Sequence, residues 1–550
     1  MAYKNNYIEG GSMTNKINYK RRNFLQHSAL GVTAAGLFPK LLFAKSSSLK
    51  SEPTASFKAD VEIEFISRDA YMPIKSGRKT KVQKYYAKLL KGPKNTLVEL
   101  EDNYLGPILN YKQGQKVRVY YKNKLTEPSV IHWHGLHVPQ SSDGHPMYTI
   151  NAGETLIYEF EVLNRAGTSF YHSHSHELTA EQVYQGLAGL ITVTDKEEQA
   201  LDLPRGEYDL PLVLQDRNFD ERNQLQYLHG MHGRMMGFLG DTILVNGKPD
   251  VEFSVKTHAY RFRAVNGSNS RIYKLGWDDG TPLTAIGTDG NLLEKPETRP
   301  YLMLAPGERI DLWLDFSGRT VGDELTMKSL AYEGAMPPNG GMGMGMSGGR
   351  LGQGDDFAIA TFKVTKKVSN SPVLPKKLVE IDRLTERDVD NKNNPIPIAI
   401  SMKPMRPQLN GHSYSMNRVE DFEEVQLGSI KKIKIFHDHG GMKQGKGGMG
   451  KGRGMGMMGG GMMLSMAHPI HLHGQQFQVL SRKIEGMRQE EYKTVSEGFI
   501  NSGWKDTVLV MPGEELVIAK PFQDFKGLFL YHCHNLEHED LGMMRQFYVS

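Results

Sequence analysis

An all-β chain of consecutive β-sandwich domains is the fold class this sequence predicts, and two observations predict it. Short runs alternate apolar and polar residues with the period of a half-buried strand, and each is followed some way on by a Gly-Glu turn. The pattern occurs three times along 550 residues, while helix-period stretches are few. Three sandwich units are therefore expected, with 39% hydrophobic residues to fill their cores.

The segment before the first unit reads as a targeting peptide. Residues 1–44 hold Lys4, Lys16, Lys20, Arg21, Arg22 and Lys40 against one acid, Glu9. Within them "KRRNFLQ" precedes the weakly apolar "HSALGVTAAGLFPKLLFA", which resembles a twin-arginine export signal. This predicts partnership with the twin-arginine export machinery and a periplasmic location for the folded protein. A membrane anchor is the alternative reading, but Pro39 and Lys40 interrupt the run, and no other run approaches the ~18 apolar residues of a spanning helix. No stable membrane insertion is expected. "MAYKNNYIEGGS" lies upstream of Met13, which leaves the start codon open. Beyond residue 44, 61 Lys and Arg balance 61 Asp and Glu, so the net charge of +5 gives no reason to expect a nucleic acid partner.

Residues 52–200 form the first predicted unit, in which Val117, Val119 and Tyr121 alternate in "KVRVYY" and precede "NAGET". The second, 201–370, has Tyr260, Phe262 and Ala264 in "YRFRAV" ahead of "APGER". In the third, 371–550, Ile433 and Ile435 alternate in "KKIKIF" ahead of "MPGEE". The outer two also match in detail: "IHWHG" answers "HPIHLHG", and "GTSFYHSH" answers "GLFLYHCH". At the corresponding places the middle unit reads "NSRIYKL" and "TMKSLAY". Metal is thus expected in the outer units, with the middle one a spacer.

The histidine pairs carry the chemistry. Residues two apart in a strand point to one face, so His132/His134, His172/His174, His471/His473 and His532/His534 can each aim two imidazoles at one site. Eight neutral imidazoles exceed any four-ligand structural zinc site and suit copper. Cys533 is the only cysteine, which excludes an intramolecular disulfide and CxxC chemistry. With His538 and Met543 after it and His468 upstream, it supplies the thiolate, imidazole and thioether set of a blue-copper centre. An inert core thiol is the plainer alternative.

The HWHG, HxH, HPxHxHG and HCHxxxHxxxxM blocks resemble those of the multicopper oxidases, the family of laccases and bacterial periplasmic cuprous oxidases. The similarity extends over essentially the whole mature chain, including "LQDRNFDERNQLQY" and "GFLGDTILVNG". It implies three consecutive cupredoxin-like Greek-key domains and four copper ions. His468, Cys533 and His538, with Met543 axial, would hold type 1 copper, and His132 with His471 would hold type 2. The type 3 pair would take His134, His172, His174, His473, His532 and His534. The resemblance further implies one-electron oxidation of Cu(I) or of small aromatic reductants coupled to reduction of O2 to water, in the service of copper tolerance. Asp143 and Glu539 stand where the family places its proton-supplying acids. Relatives that keep the fold as copper-free scaffolds make a non-catalytic role the alternative, as does copper sequestration without turnover, although every ligand position is filled here. A monomer is expected.

Two Gly and Met stretches remain, Met336–Met346 and Gly441–Met466, with 12 of the 28 methionines. Such concentration is unlike core packing, and thioethers suit soft, labile Cu(I), although a flexible low-complexity loop is the plainer reading. Met466, two residues before His468, is the expected substrate contact. The family's cuprous oxidases place an Asp just before that Met, whereas here Leu464 stands two before it, with Asp438 or His439 as candidate substitutes.

Overall fold

The computed structural model describes residues 50–227, 230–336, 351–403, 406–438, 466–484 and 489–550. The export signal, His229, His439 and most of both Met-rich stretches lie outside the described residues; Met336 and Met466 lie within them.

Each repeated run becomes a strand, Lys116–Asn123, Ala259–Asn266 or Ser429–His437. Every one pairs in parallel with an earlier strand (Val61–Met72, Asp209–Arg217, Ile396–Lys403). It pairs antiparallel with the strand that follows its own Gly-Glu turn: Thr155–Glu161, Arg309–Asp315 or Glu514–Phe522. The turn chemistry explains the repeat. Gly153, Gly307 and Gly513 take φ of 84°, 84° and 80°, a left-handed conformation open to glycine at little cost. The adjoining Glu154, Glu308 and Glu514 each accept a hydrogen bond from the backbone N–H three residues back, at 2.7, 2.8 and 2.9 Å.

Among the described residues there are six sheets, two to each sandwich. Three apolar clusters fill the sandwiches, around Trp133 and Tyr171, Phe262 and Trp277, and Ile433 and Phe547. Alternation predicts one wet face per strand, and Lys431, Lys432 and Lys434 keep theirs partly exposed. The middle strand Ala259–Asn266 is instead buried along its whole length. Its polar face meets the first sandwich, where Arg261 pairs with Glu198 and Asp311, and Arg263 reaches Asp209 and the Thr168 hydroxyl.

Candidate metal centre

Strand register brings the eight histidines together. Ile131–His132 runs antiparallel to Gly167–Ser173 with His132 opposite His172, and His468–Leu472 runs antiparallel to Gly527–Cys533 with His471 opposite His532. Rings from the first and third sandwiches then interleave: His132 stacks on His473 at 3.8 Å and His134 on His471 at 3.7 Å.

Second partners fix which nitrogen faces inward in six of the eight rings. His132 Nδ1 donates to the Asp143 carbonyl (2.6 Å), His471 Nδ1 to the Asp506 carbonyl (2.9 Å) and His172 Nδ1 to the Ser173 carbonyl (2.9 Å). His532 Nδ1 donates to the Cys533 carbonyl (3.1 Å), His473 Nδ1 to Asp143 Oδ2 (2.8 Å) and His134 Nε2 to Asp506 Oδ1 (3.1 Å). A carbonyl or carboxylate only accepts, so the anchored nitrogen carries the proton and the other presents a lone pair. These lone pairs face one another: His132 Nε2 and His471 Nε2 at 3.4 Å, His134 Nδ1 and His172 Nε2 at 3.4 Å, His473 Nε2 and His532 Nε2 at 3.1 Å, and His174 Nε2 and His532 Nε2 at 3.3 Å. Two lone pairs cannot bond each other; a cation between them satisfies both. Among the described residues, buried His534 has no hydrogen-bond partner for either nitrogen, and its ring lies 4.9 Å from His134 and 5.4 Å from His172. The residues therefore fit metal, in overlapping groups whose ligand atoms lie within 4.8 Å of one another: His132 with His471 and His473, His132 with His134 and His172, and His174 with His473 and His532.

Burial pushes His134, His172, His174, His473 and His534 well below the ordinary imidazole value, and His471 down to about 3. All six are neutral in neutral solution, the form that binds metal. Asp143 and Glu539 both touch this group. Asp143 is buried, which pushes its carboxyl up, and Glu539 Oε2 lies 3.1 Å from His532 Nδ1 with Oε1 3.7 Å from His174 Nε2.

Cys533 alternates with His532 and His534, so its side chain leaves the opposite face of the strand and enters the third core. There its Sγ lies 3.5 Å from His468 Nδ1 and 3.8 Å from His538 Nδ1. His538 Nε2 donates to the Met235 carbonyl (3.1 Å), which frees Nδ1 to face the sulfur, and burial pushes its pKa down to about 4. Met543 is buried in the same core, its N–H donating to the His538 carbonyl and its carbonyl accepting from the Cys533 N–H, both at 3.0 Å. Burial pushes the thiol pKa up, so a bound cation that displaces the proton is what makes it a thiolate here.

Met466 is buried against Met235, with Met236, Met336 and Met402 packed around the pair. A crevice lined by Met236, Met336, Met466 and Asn535 adjoins Pro469, the residue after His468. His437 Nε2 donates to the Met466 carbonyl at 3.0 Å, and the His437 ring stands 5.5 Å from that of His468. Asp438 follows at the end of that strand. Among the spare histidines, His137 pairs with Asp524 and His145 with Gln546, while His176 packs on Tyr414.

Sequence reading missed Asp506, which anchors two of the eight rings, and Glu537, which accepts from Tyr227, Asn269, Ser270 and the Phe238 N–H beside His538. Asp506 lies outside every spaced motif, and Glu537 falls on an unspecified position of the HCHxxxHxxxxM block. It also missed Met235 and Met236, whose doubled Met before "GFLGD" is a faint signal. The middle sandwich supplies none of the predicted ligands, yet it supplies these contacts and is more than a spacer.

Two family models described as multicopper oxidase match residues 81–198 and 457–550, parts of the two ligand-bearing sandwiches. A laccase of Bacillus stratosphericus is 30% identical over 80% of this chain and 88% of its own length. Among solved structures, the McoA multicopper oxidase of the hyperthermophile Aquifex aeolicus is 30% identical, with TM-score 0.71 over 90% of this chain and 97% of that one. A Campylobacter jejuni multicopper oxidase described as a metallo-oxidase is 26% identical, with TM-score 0.68 over 94% and 99%.

Proposed function

The chain belongs to the multicopper oxidase family, and from that premise we propose that it oxidises Cu(I), and small aromatic reductants besides, at the expense of dioxygen, and so serves copper tolerance outside the cytoplasm. His468, Cys533, His538 and Met543 would hold a type 1 ion. His132 and His471 would hold a type 2 ion, and His134, His172, His174, His473, His532 and His534 a type 3 pair. When bound, these four copper ions supply the one-electron transfers and the reduction of O2 to water.

The remaining work falls to the protein. Reduction to two waters consumes four protons within a wall of neutral imidazoles. Asp143, its carboxyl pushed up by burial and Oδ2 against His473 Nδ1, would hold one of those protons, and Glu539 Oε1, 3.7 Å from His174 Nε2, another. The Cys533 carbonyl accepts from His532 Nδ1 while its thiol faces the other way, so one residue joins the two ligand sets through covalent bonds.

The observation that carries Cu(I) as substrate is the thioether cluster. Met235, Met236, Met336 and Met466 come from three separate parts of the chain and meet beside His468. Thioethers bind soft Cu(I) while staying neutral, and phenols need no such group. The metallo-oxidase described for Campylobacter jejuni supports the same substrate class. A kinetic comparison tests it. Met466→Leu with Met236→Leu keeps volume and apolarity, and is expected to lower kcat/KM for Cu(I) by about tenfold, roughly 1.4 kcal/mol, with phenol oxidation unchanged. Equal loss for both substrates would assign the cluster to packing, and undiminished Cu(I) oxidation would remove it from substrate binding. Oxygen uptake by the unaltered protein on adding Cu(I) separates turnover from sequestration.

A further inference from the structure

The middle sandwich contributes no ligand, but the strand after its Gly-Glu turn begins with Arg309, and this fully buried side chain reaches all three sandwiches. Its Nε donates to the Thr168 carbonyl (3.2 Å), in the first-sandwich strand that carries His172. Nη1 donates to the Gly307 carbonyl of its own turn (2.9 Å) and to Asp506 Oδ1 (2.7 Å), while Nη2 donates to Asp506 Oδ2 (2.6 Å) in the third. That carboxylate in turn takes the His134 Nε2 proton, and the Asp506 carbonyl takes that of His471 Nδ1. Thr507 Oγ1, itself bonded to Asp506 Oδ1 at 2.9 Å, stands 3.2 Å from His134 Nε2 and 3.1 Å from His471 Nδ1.

Backbone approaches confirm how closely the turn fits the ligands. A Cβ on Gly135, the last residue of "HWHG", would collide with Arg309 Nη2 and lie 3.0 Å from Asp506 Oδ2. A Cβ on Gly307 would lie 2.9 Å from the His534 ring. Both glycines also take left-handed φ, 89° and 84°.

We propose that Arg309 is a positioning residue for the eight-histidine site: its planar fork fixes the Asp506 carboxylate, and through it the tautomer and aim of His134, so that the middle sandwich sets which nitrogen of that ring faces the metal. The fork geometry is essential, because a carboxylate held by two parallel N–H bonds cannot swing, whereas a lysine ammonium offers a single rotatable point charge. Without Arg309, Asp506 is free to rotate, His134 can present Nε2 inward instead of Nδ1, and one ligand atom is lost. The neighbouring Arg261 provides the contrast, since it bonds Glu198 and Asp311 at the same interface and touches no histidine.

The inference rests on the copper-cluster reading above, and the experiment separates the two. Copper content, the visible thiolate band and the electron paramagnetic resonance of the non-blue copper are measured on the purified unaltered protein, R309K and R261K. The unaltered protein lacking copper beyond the blue centre would defeat the cluster reading itself. Given a loaded cluster, R309K is expected to keep the blue band but hold less copper per chain, with the non-blue signal shifted or lost, and R261K to match the unaltered protein in both. Full copper and an unshifted signal in R309K would overturn the proposal, as would equal copper loss in R309K and R261K, which would reduce Arg309 to interface packing. Should R309K fail to fold, the double variant R309M with D506L decides, because it replaces the buried pair by apolar side chains and leaves no uncompensated charge. Loss of non-blue copper from that double variant supports the proposal, and a full complement overturns it.

Discussion

The four-residue set that includes Cys533 and the eight-histidine set meet at opposite faces of one strand, Gly527–Cys533, yet they depend on very different amounts of the molecule. His468, Cys533, His538 and Met543 all come from the third sandwich, and the second adds backbone carbonyls such as that of Met235 and the donors to Glu537. The eight histidines come four from each outer sandwich and are aimed by groups from all three, Arg309 among them. Strand register within a single domain suffices to build a ligand set. A set shared between domains needs their interfaces to be right to within a hydrogen bond.

The largest effect should come from removing the shared strand's thiol. Cys533→Ser is expected to abolish the visible thiolate-to-copper band and oxidase turnover while the eight-histidine set keeps its copper, since its second partners are untouched. A variant that stays blue would place the thiolate elsewhere; one that loses all copper would show the two faces to be a single unit.

Acid should separate the faces by the number of histidines each buries. The folded pKa of six rings in the larger set and of His538 in the smaller lies below the unfolded value of 6.5. The unfolded chain therefore binds protons that the folded apo-protein excludes. Stability is fully present above about pH 6.5 and is lost as pH falls toward about 4, on the order of 3 kcal/mol from His538 alone. Thermal unfolding of the copper-free protein between about pH 7 and 4 measures this, and a flat midpoint across that window would contradict it.

The smallest effect sharpens the role of the second sandwich at the smaller site. Tyr227→Phe removes one of the four donors to Glu537, next to His538, and should cost about 1 kcal/mol of stability with copper content unchanged. Loss of the blue band in that variant would mean that Glu537 aims His538 and does more than tie the two sandwiches together.

By itself the sequence determined the repeating strand pair and the eight-plus-four inventory of candidate ligands, because both are local. A period of two fixes which side chains share a face, the Gly-Glu turn follows from a left-handed glycine and a reach of three residues, and Cys533 between two histidines must leave the strand on the other side. Tertiary structure alone decided three matters. It set the imidazoles of the first sandwich against those of the third, because that depends on which ring of one meets which ring of the other. It buried the polar face of Ala259–Asn266, where alternation predicts solvent, because Arg261 finds the Glu198 carboxylate and Arg263 the Thr168 hydroxyl across an interface. And it gave Arg309 its place, though the sequence held a trace of it: where the other two turns continue with Thr155 and Glu515, the middle one has an arginine. Which atom a guanidinium reaches is set by the packing of three domains around it, and no spacing along one chain encodes that distance.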